Sequence, residues 1–150
     1  MKKILFVFPL ILLTLITRAQ TCNAPGQTPS TAFPVCGTKV FNQKEVPICR
    51  TASLVVPGCS GSTADYGDRN PYWYKFTCYE AGTLGFLITP KDLGDDYDWQ
   101  LYDITGHEPN DVFTDASLVV TANWAGTYGI TGASAGGVSL YNVPQILQPI

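Results

Sequence analysis

Apolar and polar positions along this chain alternate with a period of two far more often than they recur at helical spacing. Residues 72–78, YWYKFTC, set Tyr74, Phe76 and Cys78 on one face and Trp73, Lys75 and Thr77 on the other. Taking the first set as the apolar face predicts a strand with Tyr74, Phe76 and Cys78 directed inward. Residues 83–89 follow after Ala81 and Gly82, with Leu84, Phe86 and Ile88 in phase, so the two segments read as a hairpin or as neighbours in one sheet. Residues 98–104 carry Trp99 and Leu101 on a common face, and residues 52–56 and 118–122 are short β-branched runs. A weaker strand is threaded through 126–130, with Tyr128 and Ile130 inward. Glycine or proline recurs too often for long helices, and no later window of eleven or more residues shows a 3.6-residue apolar period.

Between these segments lie turns. Residues 22–33 are rich in Pro, Thr and Ser, 58–71 hold Asp65, Asp68 and Arg69, and 106–115 form another polar connection. The last residues, 138–150, are apolar yet broken by Pro144 and Pro149. Five or six strands are fewer than a closed sandwich uses, and an apolar unpaired end leaves sheet edge exposed. The expectation is therefore an all-β, jelly-roll-like antiparallel sandwich that lacks its last strands, at the front of a longer protein, with weak order after about residue 133.

The start of the chain sets the compartment. Lys2 and Lys3 precede an uncharged apolar run over residues 4–16, followed by Thr17, Arg18 and Ala19. This is the layout of a secretory signal peptide, and the run is shorter than the ~20 residues a bilayer-spanning helix needs. The expected organisation is a signal peptide at 1–19, a Pro/Thr-rich lead-in at 20–44, a β-sandwich domain at 45–135 and an incomplete or weakly ordered tail at 136–150. The leader holds three of the nine basic residues and none of the twelve acidic ones, leaving six basic against twelve acidic. With no basic cluster anywhere, nucleic acid and anionic lipid are poor partners.

Export changes the reading of the five cysteines, Cys22, Cys36, Cys49, Cys59 and Cys78. Their default state is disulfides, and a single histidine with no CxxC spacing argues against zinc. The preferred pairs are Cys22–Cys36 and Cys49–Cys59, each closing a short loop, with Cys78 left as a small residue of the strand core. Cys59–Cys78 is the alternative.

Four stretches together carry a resemblance. The aromatic run 72–77, the glycine turn and leucine at 81–84, the string Asp98-Trp99-Gln100-Leu101-Tyr102-Asp103 and the closing Gly106 resemble the pre-peptidase C-terminal-like β-sandwich. With the leader ending Ala19-Gln20, the run 96–99, the run 123–126 and the glycines at 129 and 132, the chain looks like the N-terminal domain of large secreted Bacteroidetes proteins. Such proteins often continue into PKD-like repeats and a type IX secretion or gliding-motility-associated sorting domain. The resemblance spans roughly residues 45–135. It implies a non-catalytic sandwich and names no ligand.

The acidic string GDDYDWQLYDITG at 94–106 is the first candidate for chemistry. Calcium takes six to eight oxygen ligands. Asp95, Asp96 and Asp98 lie at a loop-to-strand boundary where Asp96 and Asp98 share a side, whereas Asp103 is about 15–17 Å beyond along an extended strand. A calcium site would use Asp95, Asp96 and Asp98 with a carboxylate from elsewhere, such as Asp65 or Asp68. The bland alternative is turn aspartates that hydrogen-bond backbone at a strand end. No other cofactor is expected. The glutamates, Glu45, Glu80 and Glu108, form no evident acid–base pair, and His107 sits in a GHEP turn without a nucleophile elbow.

Aromatic residues are the second candidate. Trp73, Trp124 and Tyr128, if exposed, suit stacking on sugar rings or docking a protein partner, while packing beneath loops is the alternative. Two functions follow as expectations. One is a non-enzymatic extracellular module for adhesion or domain presentation, partnered by cell-surface protein and by further domains of its own polypeptide. The other is a carbohydrate-binding module using Trp73, Trp124 and Tyr128, with or without calcium. A secreted hydrolase lacks any signature here.

Overall fold

A computed structural model describes residues 22–35, 40, 42–46, 48–56, 66–82 and 84–133. The leader, the tail, Cys36, Cys59 and Asp65 therefore lie outside the described residues. Within them the regular structure is strand and short 3₁₀ turn, with no α-helix and no helix long and apolar enough to cross a membrane.

The strands are β1 (Phe33–Pro34), β2 (Arg50–Ser53), β3 (Gly67–Arg69), β4 (Tyr74–Lys75), β5 (Phe86–Ile88), β6 (Trp99–Tyr102), β7 (Val119–Asn123) and β8 (Thr131–Ala133). They pair as four two-stranded ribbons: β1 with β4 in parallel, and β2 with β3, β5 with β8 and β6 with β7 antiparallel. The chain is thus mostly β, built from small sheets.

Two pairings differ from the sequence expectation. The segments around β4 and β5 do not pair with each other. β4 is instead taken by β1, with Phe33 N–H donating to Trp73 O and Val35 N–H to Lys75 O, both at 2.8 Å. Donation from alternate residues leaves Pro34, which has no N–H, where none is needed. The second difference is at 126–130, which forms no strand. Gly129 adopts φ 99° and donates its N–H to Asp95 O at 3.0 Å, so the chain turns there, and pairing begins only at Thr131. Tyr128 and Ile130 are exposed rather than inward.

β6 is the centre around which the ribbons meet, and all four of its residues are half-buried. On one side Trp99 meets Phe86 of β5 edge to face, ring centroids 4.9 Å apart. The Trp99 indole N–H donates to Thr131 Oγ1 at 2.9 Å, and Asn123 Nδ2 donates to the same oxygen at 2.9 Å. Asn123 and Thr131 are buried, so this shared hydroxyl satisfies polar groups that would otherwise lose water. β5 and β8 lie so close that a Cβ on Gly132 would overlap Phe86 O, which only glycine tolerates.

The other side of β6 is built differently. Gln100 Nε2 donates to Val55 O at 2.8 Å, tying β6 to the segment that follows β2. Gln100 Oε1 accepts the Trp124 indole N–H at 2.9 Å, and Trp124 stands edge-on to Tyr66 at 5.3 Å. Tyr102 packs beside Trp73, 5.8 Å between centroids. The small apolar interior comprises Leu54, Val56, Val112 and Leu118, with Ala32, Cys22 and Cys49 nearer the N-terminal segment.

That segment is tied down at several points. Gln27 is buried and its Oε1 accepts the N–H groups of Asn23 and Ala24 at 2.9 and 2.7 Å. Thr28 and Thr31 form a reciprocal capping box on the 3₁₀ turn Pro29–Thr31. Gly26 O accepts the Trp73 N–H at 2.6 Å. The disulfide joins Cys22 to Cys49 across 27 residues, with Cα atoms 5.4 Å apart. This replaces both pairs favoured from sequence, since each had assigned one of these two thiols elsewhere. Short loop closure was the wrong criterion: β1 docking on β4 and the Asn70 N–H to Cys49 O bond bring distant backbone together.

Candidate functional site

The strand with the richest aromatic content is also the one whose facing is reversed from expectation. Trp73 is half-buried, packed on Tyr102 and, at 5.9 Å and nearly perpendicular, on Phe113. Tyr74, Phe76 and Cys78 are exposed, and the Cys78 thiol is free. The inward face is therefore the one carrying Trp73, because Tyr102 of β6 and the 3₁₀ turn Pro109–Phe113 offer rings on that side. A shift of one residue exchanges every side chain between core and solvent.

The exposed face of this ribbon is consequently aromatic. Phe33 of β1 pairs in register with Tyr74, and both are exposed, at 49% and 37%. Phe76 extends the row at 44% exposure. Tyr72, half-buried, continues it in the other direction, its ring 5.0 Å from that of Tyr74. Desolvation, then the neighbouring Tyr72, pushes the Tyr74 phenol up to about 12, so it stays protonated throughout the neutral range.

The other aromatic candidates fall elsewhere. Trp124 is half-buried in the Tyr66–Gln100 cluster, separate from the ring cluster of Trp73. Tyr128 is 71% exposed on the loop before β8. The three rings singled out from the sequence are thus divided among a packed cluster beneath β4, a second packed cluster against Gln100 and an open loop.

Asp95, Asp96 and Asp98 are all exposed, on the loop that enters β6 and beside the 125–129 loop. Asp95 donates its N–H to Asp92 O at 3.0 Å, and Asp96 Oδ2 lies 3.9 Å from the Cβ position of Gly126. Packing around Asp98, followed by the charge of Asp96, raises its carboxyl to about 6. Among the described residues no group of three or more His, Cys, Asp or Glu side chains is placed to hold a metal ion. Asp103 behaves as a turn aspartate: its Oδ1 accepts the Thr105 N–H at 2.9 Å, the Thr105 side chain and then this backbone bond lower its pKa, and Gly106 follows with φ 77°.

Asp68, named as a distant carboxylate for the same ion, is buried in β3. Its Oδ1 accepts the Ala52 N–H at 2.8 Å where the β2–β3 register shifts, so it repairs a break in the ladder. Burial and then the Asp68 charge push the Tyr102 phenol upward. His107 faces Asp111 across 3.7 Å on an exposed turn, a geometry that contributes little in water.

The surface feature missed from sequence is the Phe33–Tyr74–Phe76 face. Its only local signal is the unbroken aromatic run 72–74, which leaves both strand faces apolar and the facing undecided. Phe33 carried no signal at all, since a lone Phe-Pro in a Pro/Thr-rich stretch does not read as a strand. The chain matches no protein-family model, no curated protein and no solved structure.

Proposed function

We propose that this chain is a non-catalytic extracellular β-rich module, the leading part of a secreted or cell-surface protein, serving adhesion or the presentation of neighbouring domains. In this reading the four ribbons belong to a jelly-roll-like sandwich. The observation that carries it is an aromatic face left open on a ribbon that is firmly held from behind. Trp73 anchors that ribbon on Tyr102 and Phe113, and Cys22–Cys49 ties down its β1 side. A cystine of this kind fits an oxidising compartment. Exposed rings held on a rigid support suit recognition rather than turnover.

The test is surface proteolysis and fractionation of the producing cell, with non-reducing peptide mapping of the recovered chain. The expected result is chain outside the cytoplasm carrying the Cys22–Cys49 cystine. Recovery of reduced chain from the cytoplasm alone overturns the reading.

A carbohydrate-binding reading keeps Tyr128, 71% exposed, of the three rings first chosen. Trp73 and Trp124 spend their rings on internal packing, while Phe33, Tyr74 and Phe76 offer theirs to solvent.

A further inference from the structure

We propose that the outer face of the β2–β3 ribbon, where Arg50 and Arg69 stand opposite one another, binds a single sulfate or phosphate group. Of the three arginines in the chain, Arg18 lies in the leader and the other two are this cross-strand pair. They are far apart in sequence, so the antiparallel register is what brings them together. Side chains directly opposite share a face, and like charges in that position oppose the pairing of the strands. Both arginines are exposed, and among the described residues neither enters an ion pair. The fold thus accepts an unfavourable juxtaposition that a bound anion relieves.

The backbone gives the pair a shape. The β2–β3 register shifts between Arg50 and Ser53, and the Ala52 N–H there goes to Asp68 Oδ1 at 2.8 Å. An irregularity of this kind re-aims neighbouring side chains. The Arg50 guanidinium lies over Gly67, where a Cβ would stand 2.7 Å from Arg50 Nη2. Gly67 is therefore a bare floor on the face that also carries Arg69, and exposed Ser53 stands opposite it in register.

Local charge and geometry narrow the occupant. The charged residues of the ribbon are Arg50, Arg69 and Asp68, and Asp68 is buried on its other face. Two guanidiniums against one carboxylate leave a small positive excess, enough for one anionic group. A polyanion would meet repulsion from the acidic remainder of the chain. A guanidinium presents a planar fork that takes two oxygens at once. The two oxygens of a carboxylate occupy one such fork, whereas the three or four of a sulfate or phosphate group serve both forks and the Ser53 hydroxyl. The group could arrive as a free ion or as an ester on a sugar.

The test is titration of the isotope-labelled full chain with inorganic sulfate, inorganic phosphate, glucose 6-sulfate and glucose 6-phosphate at constant ionic strength. The readout is the arginine Nε–H signals, and glucuronate is the carboxylate comparison. Saturable shifts of both the Arg50 and Arg69 signals are expected with at least one sulfate or phosphate probe, and about tenfold weaker binding of glucuronate. Tighter binding of an ester than of its free ion assigns the site to a sugar ester, and the reverse assigns it to the ion; either result supports the site. Arg50→Lys and Arg69→Lys keep the charge but lose the fork, and each should weaken binding about tenfold. Gly67→Ala leaves every charge in place but displaces the Arg50 guanidinium, and it should weaken binding about threefold or more. Lys91→Ala, off the ribbon, should leave it unchanged. Near-ultraviolet circular dichroism checks that each variant is folded. Shifts that do not saturate, affinity indifferent to either lysine variant, or glucuronate bound as tightly overturns the proposal. The extracellular reading is tested separately by fractionation and cystine mapping, and it stands if this site fails.

Discussion

β4 and β6 carry the same kind of sequence and end in opposite situations. β6 opens on Trp99 and β4 is immediately preceded by Trp73, and both segments alternate and sit among tyrosines. β6 is covered on its two faces, by Phe86 and Thr131 against Trp99 and by Trp73 and Trp124 against Tyr102 and Gln100. At β4, Trp73 just before the strand is half-buried, and Tyr74, Lys75 and Phe76 are exposed. Aromatic content therefore says that a strand packs somewhere, and the number of neighbouring layers decides how many of its faces do so.

The largest expected break in that comparison is at Gly132, where β8 closes the Trp99 side of β6. Gly132→Ala places a methyl against Phe86 O at a φ of +149°, so β5 and β8 must separate. A loss of about 3 kcal/mol or more is expected in urea unfolding, and the fluorescence of Trp99 should shift to the red. An unchanged midpoint would mean that β5 and β8 are not paired as described.

At the start of β4 the contrast between a packed and an exposed ring is sharpened by two substitutions one residue apart. Trp73→Ala removes the ring that packs on Tyr102 and Phe113 and should cost about 2–3 kcal/mol, below the fully buried range because the side chain is only half-buried. Tyr74→Ala, on the open face, should change stability by no more than about 0.5 kcal/mol. Equal losses from the two would restore the facing expected from the alternation alone.

A smaller effect probes the polar link on the covered side of β6. Trp99→Phe keeps a ring against Phe86 but removes the indole N–H that Thr131 Oγ1 accepts. A loss of about 1 kcal/mol is expected. Thr131→Val should give a larger loss, because Asn123 Nδ2 is then also left without its acceptor.

The smallest effect concerns pH at the loop that enters β6. The Asp98 carboxyl is raised from 3.8 to about 6, so the folded chain holds that proton more tightly than the unfolded one. Its stabilising contribution is complete below about pH 3.8 and is lost as pH rises through about 6. Asp103 and Asp115 have the opposite sign: hydrogen bonds from Thr105 and Ser117 lower their pKa values, and their contribution fades only in stronger acid. Urea midpoints should therefore rise modestly from pH 7 to pH 5, and Asp98→Asn should flatten that rise. A rise that persists in Asp98→Asn would assign it to another group.

Several features were legible in advance. The strand at β6, the turn closed by Asp103 and Gly106 and the strand at β7 stand close to where the alternation and turn residues put them. Each is set by local rules: side-chain period, an aspartate that hydrogen-bonds the backbone two residues on, and a glycine that accepts positive φ. The disulfide, the pairing of β4 and the candidate surface were not legible. Cys22 and Cys49 are 27 residues apart, and Phe33 lies about forty residues from Tyr74, so no local pattern relates them.

By itself, then, the order of residues determined that this chain is strand and turn, that its aspartates mostly serve turns and that Trp99 packs inward. Tertiary structure alone decided which face of the aromatic strand is wet. With Tyr72, Trp73 and Tyr74 in succession, burial of either face is favourable, and the two facings differ only in what lies opposite. Trp73 went inward because Tyr102 and Phe113 were there to meet it, and Tyr74 and Phe76 stayed exposed beside it.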